Sequence, residues 1–252
     1  MEIKWHGTAS VEVISESGRI LFDPFVPLEG SDVSVSIADF DGIDDIFVTH
    51  GHFDHIRDLP EICRRNPDAR VYCTKTPRET LIGKGVEASR LILIDYGQTL
   101  NINGFKITVL HGKHAKLAKL SVKRCFDCLT GETRRNVPVL LRGIKQFREN
   151  DETVFYRIEA DGKSVELMGS LNLRDDCEYP TGCDALVLPY NGWKDNLPPA
   201  VNAIERLRPE KVFLDHYDNT FPPATEPLDL NPILEKYCGR VEKLTLNKIV
   251  QI

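Results

Sequence analysis

Apolar and polar residues alternate through the first part of the chain in the way that half-buried β-strands do. Residues 4–5, 11–14 and 19–22 carry this pattern, with turn-like residues between them, and they predict a β-meander. A short apolar run over residues 46–48 predicts a buried strand. That strand leads directly into the polar segment 49–55, so any chemistry in this segment lies at the end of a strand.

Downstream, apolar residues take helical spacing over residues 56–65 and 200–207. A turn signal at Asp161-Gly162, between two apolar runs, predicts a β-hairpin. Further strands are predicted over residues 70–73, 91–94, 105–110, 154–158, 165–168, 185–188 and 212–214. Strands that alternate with helices, in a pattern that recurs in the second half of the chain, predict an α/β sandwich.

Composition places the chain among globular proteins, because 41% of its 252 residues are hydrophobic and 28% are charged. The first residues enter an alternating pattern and lack the apolar stretch of a signal peptide. Seven cysteines without an export signal favour free thiols in a reducing compartment. We therefore predict one domain over residues 1–252, located in the cytoplasm and without a membrane span.

The formal net charge of −6 is unevenly distributed. Residues 113–148 contain ten Lys or Arg against two acids, a local charge of +8, so the rest of the chain carries −14. We predict a basic insertion at about residues 115–152. Lys113, Lys116, Lys119 and Lys123 have helical spacing, which suits an anion-binding lid, a membrane-surface helix or a solvated helix.

Candidate chemistry concentrates in His50-Gly51-His52-Phe53-Asp54-His55, which places three imidazoles and a carboxylate within six residues. These donors suit zinc and the neighbouring first-row metals. His114 and His216 also follow predicted strands, where an α/β sheet collects its functional residues. We predict a metal centre that holds one or two zinc ions, with manganese or nickel as alternatives.

This motif is the signature of the metallo-β-lactamase superfamily, which the chain resembles over nearly its whole length. Flanking segments resemble its branch of ascorbate-6-phosphate lactonase-like proteins; they are residues 5–10, 21–25, 107–114, 189–192 and 216–218. The resemblance implies a four-layer αββα sandwich with metals at one edge of the sheets. It implies a first metal on His50, His52 and His114, where the family's spacing selects His114 over His111, and a second on Asp54, His55 and His216.

The chain departs from this family at Ser170, which stands where the family has an aspartate that bridges the two metals. A neutral hydroxyl is a poor ligand, so we expect a weaker second site, with Asp175, Asp176 or Asn172 as substitutes. Asp23 is expected either to orient a ligand histidine or to be only part of an Asp-Pro turn.

Three functions fit these residues. The first is hydrolysis of an ester, lactone or phosphoester of a small, anionic substrate by metal-activated water. If the second metal site is empty, Asp54 is the catalytic residue, as general base or by orienting the water. Nuclease or phosphodiesterase activity is the second, although the chain is acidic and no nucleic-acid surface is indicated. The third is non-catalytic metal binding, because of Ser170. The residues proposed to attract an anionic substrate are Lys116, Lys119, Lys123, Arg134 and Arg135. Cysteines 125, 128, 177 and 183 are either free thiols or a structural zinc site.

Overall fold

The computed structural model describes residues 1–116 and 121–252, and these residues form two seven-stranded sheets. In spatial order, the first sheet consists of β14 (Ile249–Gln251), β1 (Glu2–Trp5), β2 (Val11–Ser15), β3 (Gly18–Phe22), β4 (Asp45–Phe47), β5 (Arg70–Cys73) and β6 (Leu91–Leu93). The second consists of β13 (Val241–Lys243), β12 (Lys211–Asp215), β11 (Ala185–Pro189), β10 (Lys163–Met168), β9 (Val154–Ala160), β8 (Phe105–His111) and β7 (Thr99–Ile102).

Both sheets follow the same plan. Antiparallel pairs join β14 to β3 in the first sheet and β7 to β10 in the second. Parallel pairs then extend from β3 to β6 and from β10 to β13. The recurrence that the sequence predicted is therefore a repeated sheet. Parallel strands place their carboxyl ends along one edge, where the connecting loops can share a site.

Seven α-helices are present in the described ranges, and none of them is long and apolar enough to cross a bilayer. They are α1 (Phe53–Ile56), α2 (Leu59–Arg65), α3 (Lys75–Gly83), α4 (Val122–Thr130), α5 (Val137–Gln146), α6 (Leu197–Leu207) and α7 (Asn231–Lys236). Short 3-10 helices occupy Ile37–Phe40, Ala88–Arg90 and Glu132–Asn136.

The buried apolar residues form three separate hydrophobic cores. Between the sheets lies a core that includes Trp5, Tyr156 and Phe213. On the outer face of the first sheet a second core contains residues of α1, α2 and α3, and on the outer face of the second sheet a third contains residues of α6 and α7. Helices therefore cover both outer faces, which confirms the four-layer αββα sandwich.

Most predicted strands are present, and the hairpin at Asp161-Gly162 is confirmed as the turn between β9 and β10, with φ values of 50° and 71°. The single helix predicted over residues 56–65 is wrong in its extent. A one-turn helix begins at Phe53, and α2 starts again at Leu59. Pro60 is tolerated there because the N–H groups of a first helical turn have no partner inside the helix.

The basic segment contains two helices, α4 and α5, that its weak periodicity did not predict. A single helix through the spaced lysines is not what the structure has, since residues 113–116 are irregular and α4 begins at Val122. Lys119 lies outside the described residues. Within this segment, α5 packs against α1 at Gly143, where a Cβ atom would lie 2.5 Å from the Phe53 ring. This close approach holds α5 beside the histidine motif.

Candidate metal centre

The six predicted metal ligands meet at the edge where three strands end. His50, His52, Asp54 and His55 follow β4, with Asp54 and His55 in α1 and His52 immediately before it. His114 follows β8 and His216 follows β12. The structure thus gathers residues separated by up to 166 positions (50 to 216) into two adjacent groups of three.

The first group is formed by His50, His52 and His114, whose candidate ligand nitrogens lie within 4.8 Å of one another. The His114 Nδ1–H donates to the carbonyl oxygen of Ala115 at 2.7 Å, which leaves Nε2 unprotonated. His50 Nδ1 contacts the Thr49 hydroxyl at 3.0 Å, while the buried His50 Nε2 has no hydrogen-bond partner among the described residues. A buried nitrogen without a partner is costly, and a metal ion would satisfy it. The donor set of this group therefore fits a metal ion.

The second group is formed by Asp54, His55 and His216, with ligand atoms within the same 4.8 Å limit. Asp54 Oδ2 lies 3.0 Å from His216 Nε2 and 3.6 Å from His55 Nε2. All three residues are buried. One carboxylate oxygen and two imidazole nitrogens that converge on one point are also donors suited to a first-row metal ion.

Asp23 lies behind the second group and contacts one of its members, His55. Its Oδ2 atom is 2.8 Å from His55 Nδ1, so His55 donates there and directs Nε2 towards Asp54. Thr49 fixes Asp23 in turn, with its backbone N–H donating at 2.8 Å and its hydroxyl at 2.5 Å. Gly169 makes room for this arrangement, because a Cβ atom at that position would lie 2.0 Å from the Thr49 hydroxyl oxygen.

Burial sets the protonation of the histidines. It lowers the pKa of His50 well below its ordinary value, and it lowers the pKa of His52 to about 4. Burial also disfavours a charge on His216, but the hydrogen bond and charge of Asp54 outweigh it and raise the pKa of His216 to about 9. The pKa of Asp54 is lowered despite burial, because the charges of His55 and His216 favour the carboxylate. Neutral imidazoles in the first group are the form that binds metal.

Ser170 is buried at the position of the expected bridging aspartate, and it has a defined contact. Its hydroxyl oxygen accepts a hydrogen bond of 2.9 Å from the backbone N–H of Ala115. Asn172 supports the same loop by donating to the carbonyl oxygen of His114 at 3.1 Å. Both residues therefore position His114.

Asp175 and Asp176 are not brought to the centre. The Asp175 side chain is 89% exposed and pairs with Lys113 at 3.3 Å. The Asp176 side chain is 70% exposed and pairs with Arg174. Neither belongs to the two groups of potential metal ligands, so the structure gives no support to either as a substitute for the bridging aspartate.

The predicted anion-binding residues that the structure describes make no hydrogen bond or ion pair with the ligand groups. Lys116, Lys123, Arg134 and Arg135 are exposed, and within residues 1–116 and 121–252 none of them has a hydrogen bond or ion pair with the six ligands. Arg135 pairs with Glu29 instead. The cysteines proposed as an alternative zinc site are absent from the clusters of three or more metal-binding side chains found in the described residues.

Two supporting residues were not predicted. Thr49 contacts Asp23, His50 and His55. Asn191, two residues after β11, lies with its amide nitrogen 3.2 Å from His216 Nδ1. Their signal in the sequence was position, since each follows a buried strand, and Asn191 also lies in the flanking segment 189–192 that resembles the lactonase-like branch. A polar residue at a strand end is a candidate partner for a ligand, although sequence does not show which ligand it contacts.

The sequence model of one protein family, the Beta-lactamase superfamily domain, matches residues 18–217 of this chain. A metal-dependent hydrolase of Methanopyrus kandleri is 28% identical over 254 residues, covering 100% of this chain and 96% of the relative. One of Archaeoglobus fulgidus is 28% identical over 228 residues, covering 88% of this chain and 85% of the relative.

Solved structures share the fold at lower identity. A metallo hydrolase from Ignicoccus hospitalis superposes with a TM-score of 0.69 and 22% identity, covering 99% of this chain and 97% of that one. Zn²⁺-bound PqqB from Methylobacterium extorquens superposes with a TM-score of 0.60 and 15% identity, covering 96% of this chain and 87% of that one.

Proposed function

The chain belongs to the beta-lactamase superfamily, and on that premise we propose that it is a metal-dependent hydrolase of a small-molecule ester, lactone or phosphoester. The observation that carries this proposal is the convergence of two three-residue ligand groups at one sheet edge, with the buried His50 Nε2 atom unpartnered among the residues described. Relatives of nearly the same length are named metal-dependent hydrolases, which supports the same assignment.

In this proposal His50, His52 and His114 hold the first ion, and Asp54, His55 and His216 hold the second. Zinc is the proposed metal, with manganese or nickel as alternatives, because imidazole and carboxylate are ligands that these ions accept. The Zn²⁺-bound relative PqqB has the same fold, in keeping with that choice. A bound ion would activate water at neutral pH and polarise the oxygen of the scissile group.

Asp54 is the residue to which we assign the catalytic role. When the second group holds no ion, the lowered pKa of Asp54 keeps its carboxylate unprotonated at neutral pH, so it can accept a hydrogen bond from the attacking water and orient it. Asp23 and Thr49 act through His55 and His50, and they are positioning residues. Ser170 and Asn172 hold the loop that carries His114.

An anionic substrate is the proposed class, drawn in by the basic segment. Lys116, Lys123 and Arg134 are exposed in a region of charge +8, whereas the remaining chain carries −14. Positive charge beside a site raises the local concentration of an anion. Lys119 and Arg135 complete the proposed set, although Arg135 is already paired with Glu29.

The direct test combines metal analysis with a substrate panel. Protein purified without chelator is expected to contain zinc, manganese or nickel, and to hydrolyse at least one of a lactone, an aryl ester and a phosphodiester. Chelation should abolish the activity and zinc should restore it. Metal binding without hydrolysis of the panel would favour the non-catalytic function that Ser170 suggests, and absence of metal would contradict the proposal.

Replacing Ser170 by aspartate is expected to raise the metal content towards two ions per chain. Asp54 is the single carboxylate among the six proposed ligands, so a second carboxylate would offset the repulsion between two divalent ions. Elemental analysis after dialysis against limiting zinc measures the change. Ser170→Asn is the matched control, because it has the shape of aspartate without the charge. Wild-type protein that already holds two tightly bound ions would contradict the expectation.

A further inference from the structure

Helix α4 packs against the protein through its polar side. The Arg124 side chain is only 17% exposed and donates to the carbonyl oxygens of Pro223 and Thr225 at 3.4 and 3.3 Å. It also pairs with Glu226 and with Asp127 of the same helix. These contacts fix the orientation of α4 on the loop that precedes α7.

The apolar side of α4 consequently faces outwards. Val122, Phe126 and Leu129 recur at helical spacing and are 89%, 63% and 76% exposed, and we name these three residues the apolar stripe. An amphipathic helix normally buries such a stripe against the core. Leu141 and Ile144 of α5 are also exposed, at 63% and 74%. Of the ten large hydrophobic residues exposed in the described ranges, six lie within residues 122–144, so the exposure is concentrated in this segment.

Positive charge predominates in the segment that carries these apolar residues. Residues 121–148 contain seven Lys or Arg and two acids. Across the described part of the chain, five of these cations are exposed and have no acidic partner; they are Lys123, Arg134, Arg142, Lys145 and Arg148. Apolar side chains flanked by unpaired cations match a surface that has anionic groups outside and hydrocarbon beneath.

We propose that the α4–α5 segment binds the surface of an anionic lipid bilayer, with the apolar stripe inserted among the acyl chains and the cations at the headgroups. The helices have nine and ten residues, so they lie on the bilayer and do not cross it. A symmetric contact between two copies of the chain would bring two such basic surfaces together, which charge repulsion disfavours. Nucleic-acid phosphates would pair with the cations but would leave the stripe in water.

Flotation of the full chain with lipid vesicles tests this inference without reference to catalysis. We expect binding to vesicles of equimolar phosphatidylcholine and phosphatidylglycerol, little binding to phosphatidylcholine alone, and weaker binding as salt is added. Replacing the stripe by serine (Val122→Ser, Phe126→Ser and Leu129→Ser together) should lower the partition coefficient by at least about tenfold. The control is Leu93→Ser with Ile249→Ser, two hydrophobic residues that are 56% and 53% exposed elsewhere.

The charge component is tested separately. Neutralising Arg142, Lys145 and Arg148 to glutamine should lower binding to the anionic vesicles by about a hundredfold, since each cation near such a surface contributes about 1 kcal/mol, or about fivefold. The matched control neutralises Lys194, Lys243 and Lys248, which are exposed outside the segment. A Phe126→Trp variant reports insertion directly, through a blue shift of its fluorescence on the anionic vesicles.

Several results would overturn the inference. Equal binding to both kinds of vesicle would remove the role of anionic lipid, and unchanged binding of the serine variant would remove the role of the stripe. If the wild-type chain ignores vesicles but forms an oligomer that the serine variant cannot form, the stripe is a protein interface. Hydrolysis of the substrate panel is independent of each of these results, so failure here leaves the proposed function standing.

Discussion

Replacing His114 by alanine is expected to remove one metal ion and to lower kcat/KM by about a thousandfold or more. The His114 Nε2 atom is one of only three donors in the first group, and an ion held by two imidazoles would be lost at low free-metal concentration. Loss of an ion that contributes several kcal/mol of transition-state stabilisation accounts for a rate effect of this size. Elemental analysis and steady-state kinetics at fixed zinc concentration measure both changes.

His111 provides a matched control three residues earlier. Its ring stacks on Tyr96 with centroids 3.7 Å apart, and it belongs to neither ligand group. His111→Ala is therefore expected to keep the metal and to retain kcat/KM within about threefold, because it touches no ligand. Equal losses in the two variants would show that the loop, rather than the His114 imidazole, supports activity.

The sequence predicted the part of the centre that is local in the chain. His50, His52, Asp54 and His55 lie within six residues, so their convergence requires only a strand followed by a tight turn. His114 and His216 follow two other predicted strands, which made them candidates, and the resemblance to the family assigned them as ligands. Strands and helices that alternate twice along the chain predicted an α/β sandwich, and the resemblance to the metallo-β-lactamase superfamily implied its four layers.

The sequence could not predict contacts that depend on the packing of distant segments. Asp175 and Asp176 are close to Ser170 along the chain, but ion pairs with Lys113 and Arg174 hold them at the surface. Thr49 contacts Asp23 only because β3 and β4 are neighbours in the sheet. A hydrophobic pattern also shows which residues of a helix share a face but not where that face points. The outward orientation of α4 depends on the contacts of Arg124.

One buried ion pair lies away from the metal centre, between adjacent strands of the second sheet. Arg157 of β9 donates from Nη1 to Oε1 of Glu166 on β10 at 2.8 Å, while Glu166 Oε2 has no partner in the described residues. The Glu166 side chain is fully buried and the Arg157 side chain is 18% exposed. Burial outweighs the attraction of Arg157 and raises the pKa of Glu166 from 4.5 to about 7. The thiol of Cys183 is the other polar group close to this carboxyl.

This raised pKa determines how stability depends on pH. Between the unfolded-state pKa of 4.5 and the folded-state pKa of about 7, Glu166 is protonated in the folded chain but ionised in the unfolded chain. The Glu166 contribution to the free energy of unfolding therefore falls as the pH rises through this window. Without Arg157 the pKa of the buried carboxyl would rise further, and the fall would continue to higher pH.

Arg157→Met is accordingly expected to lower the free energy of unfolding by about 2 kcal/mol at about pH 8, because Glu166 of the folded variant stays protonated at a pH where the wild-type carboxyl is ionised beside its cation. At about pH 5 the folded-state carboxyl is protonated, so the loss should shrink to roughly 1 kcal/mol, the value of a hydrogen bond. Urea unfolding at both pH values measures the difference.

Lys106→Met is the matched control, because Lys106 pairs with Glu159 at 2.8 Å with both side chains partly exposed. The control should lose less than about 1 kcal/mol at either pH. An equally large loss for Arg157→Met at both pH values would mean that Arg157 stabilises the sheet by packing rather than by neutralising Glu166.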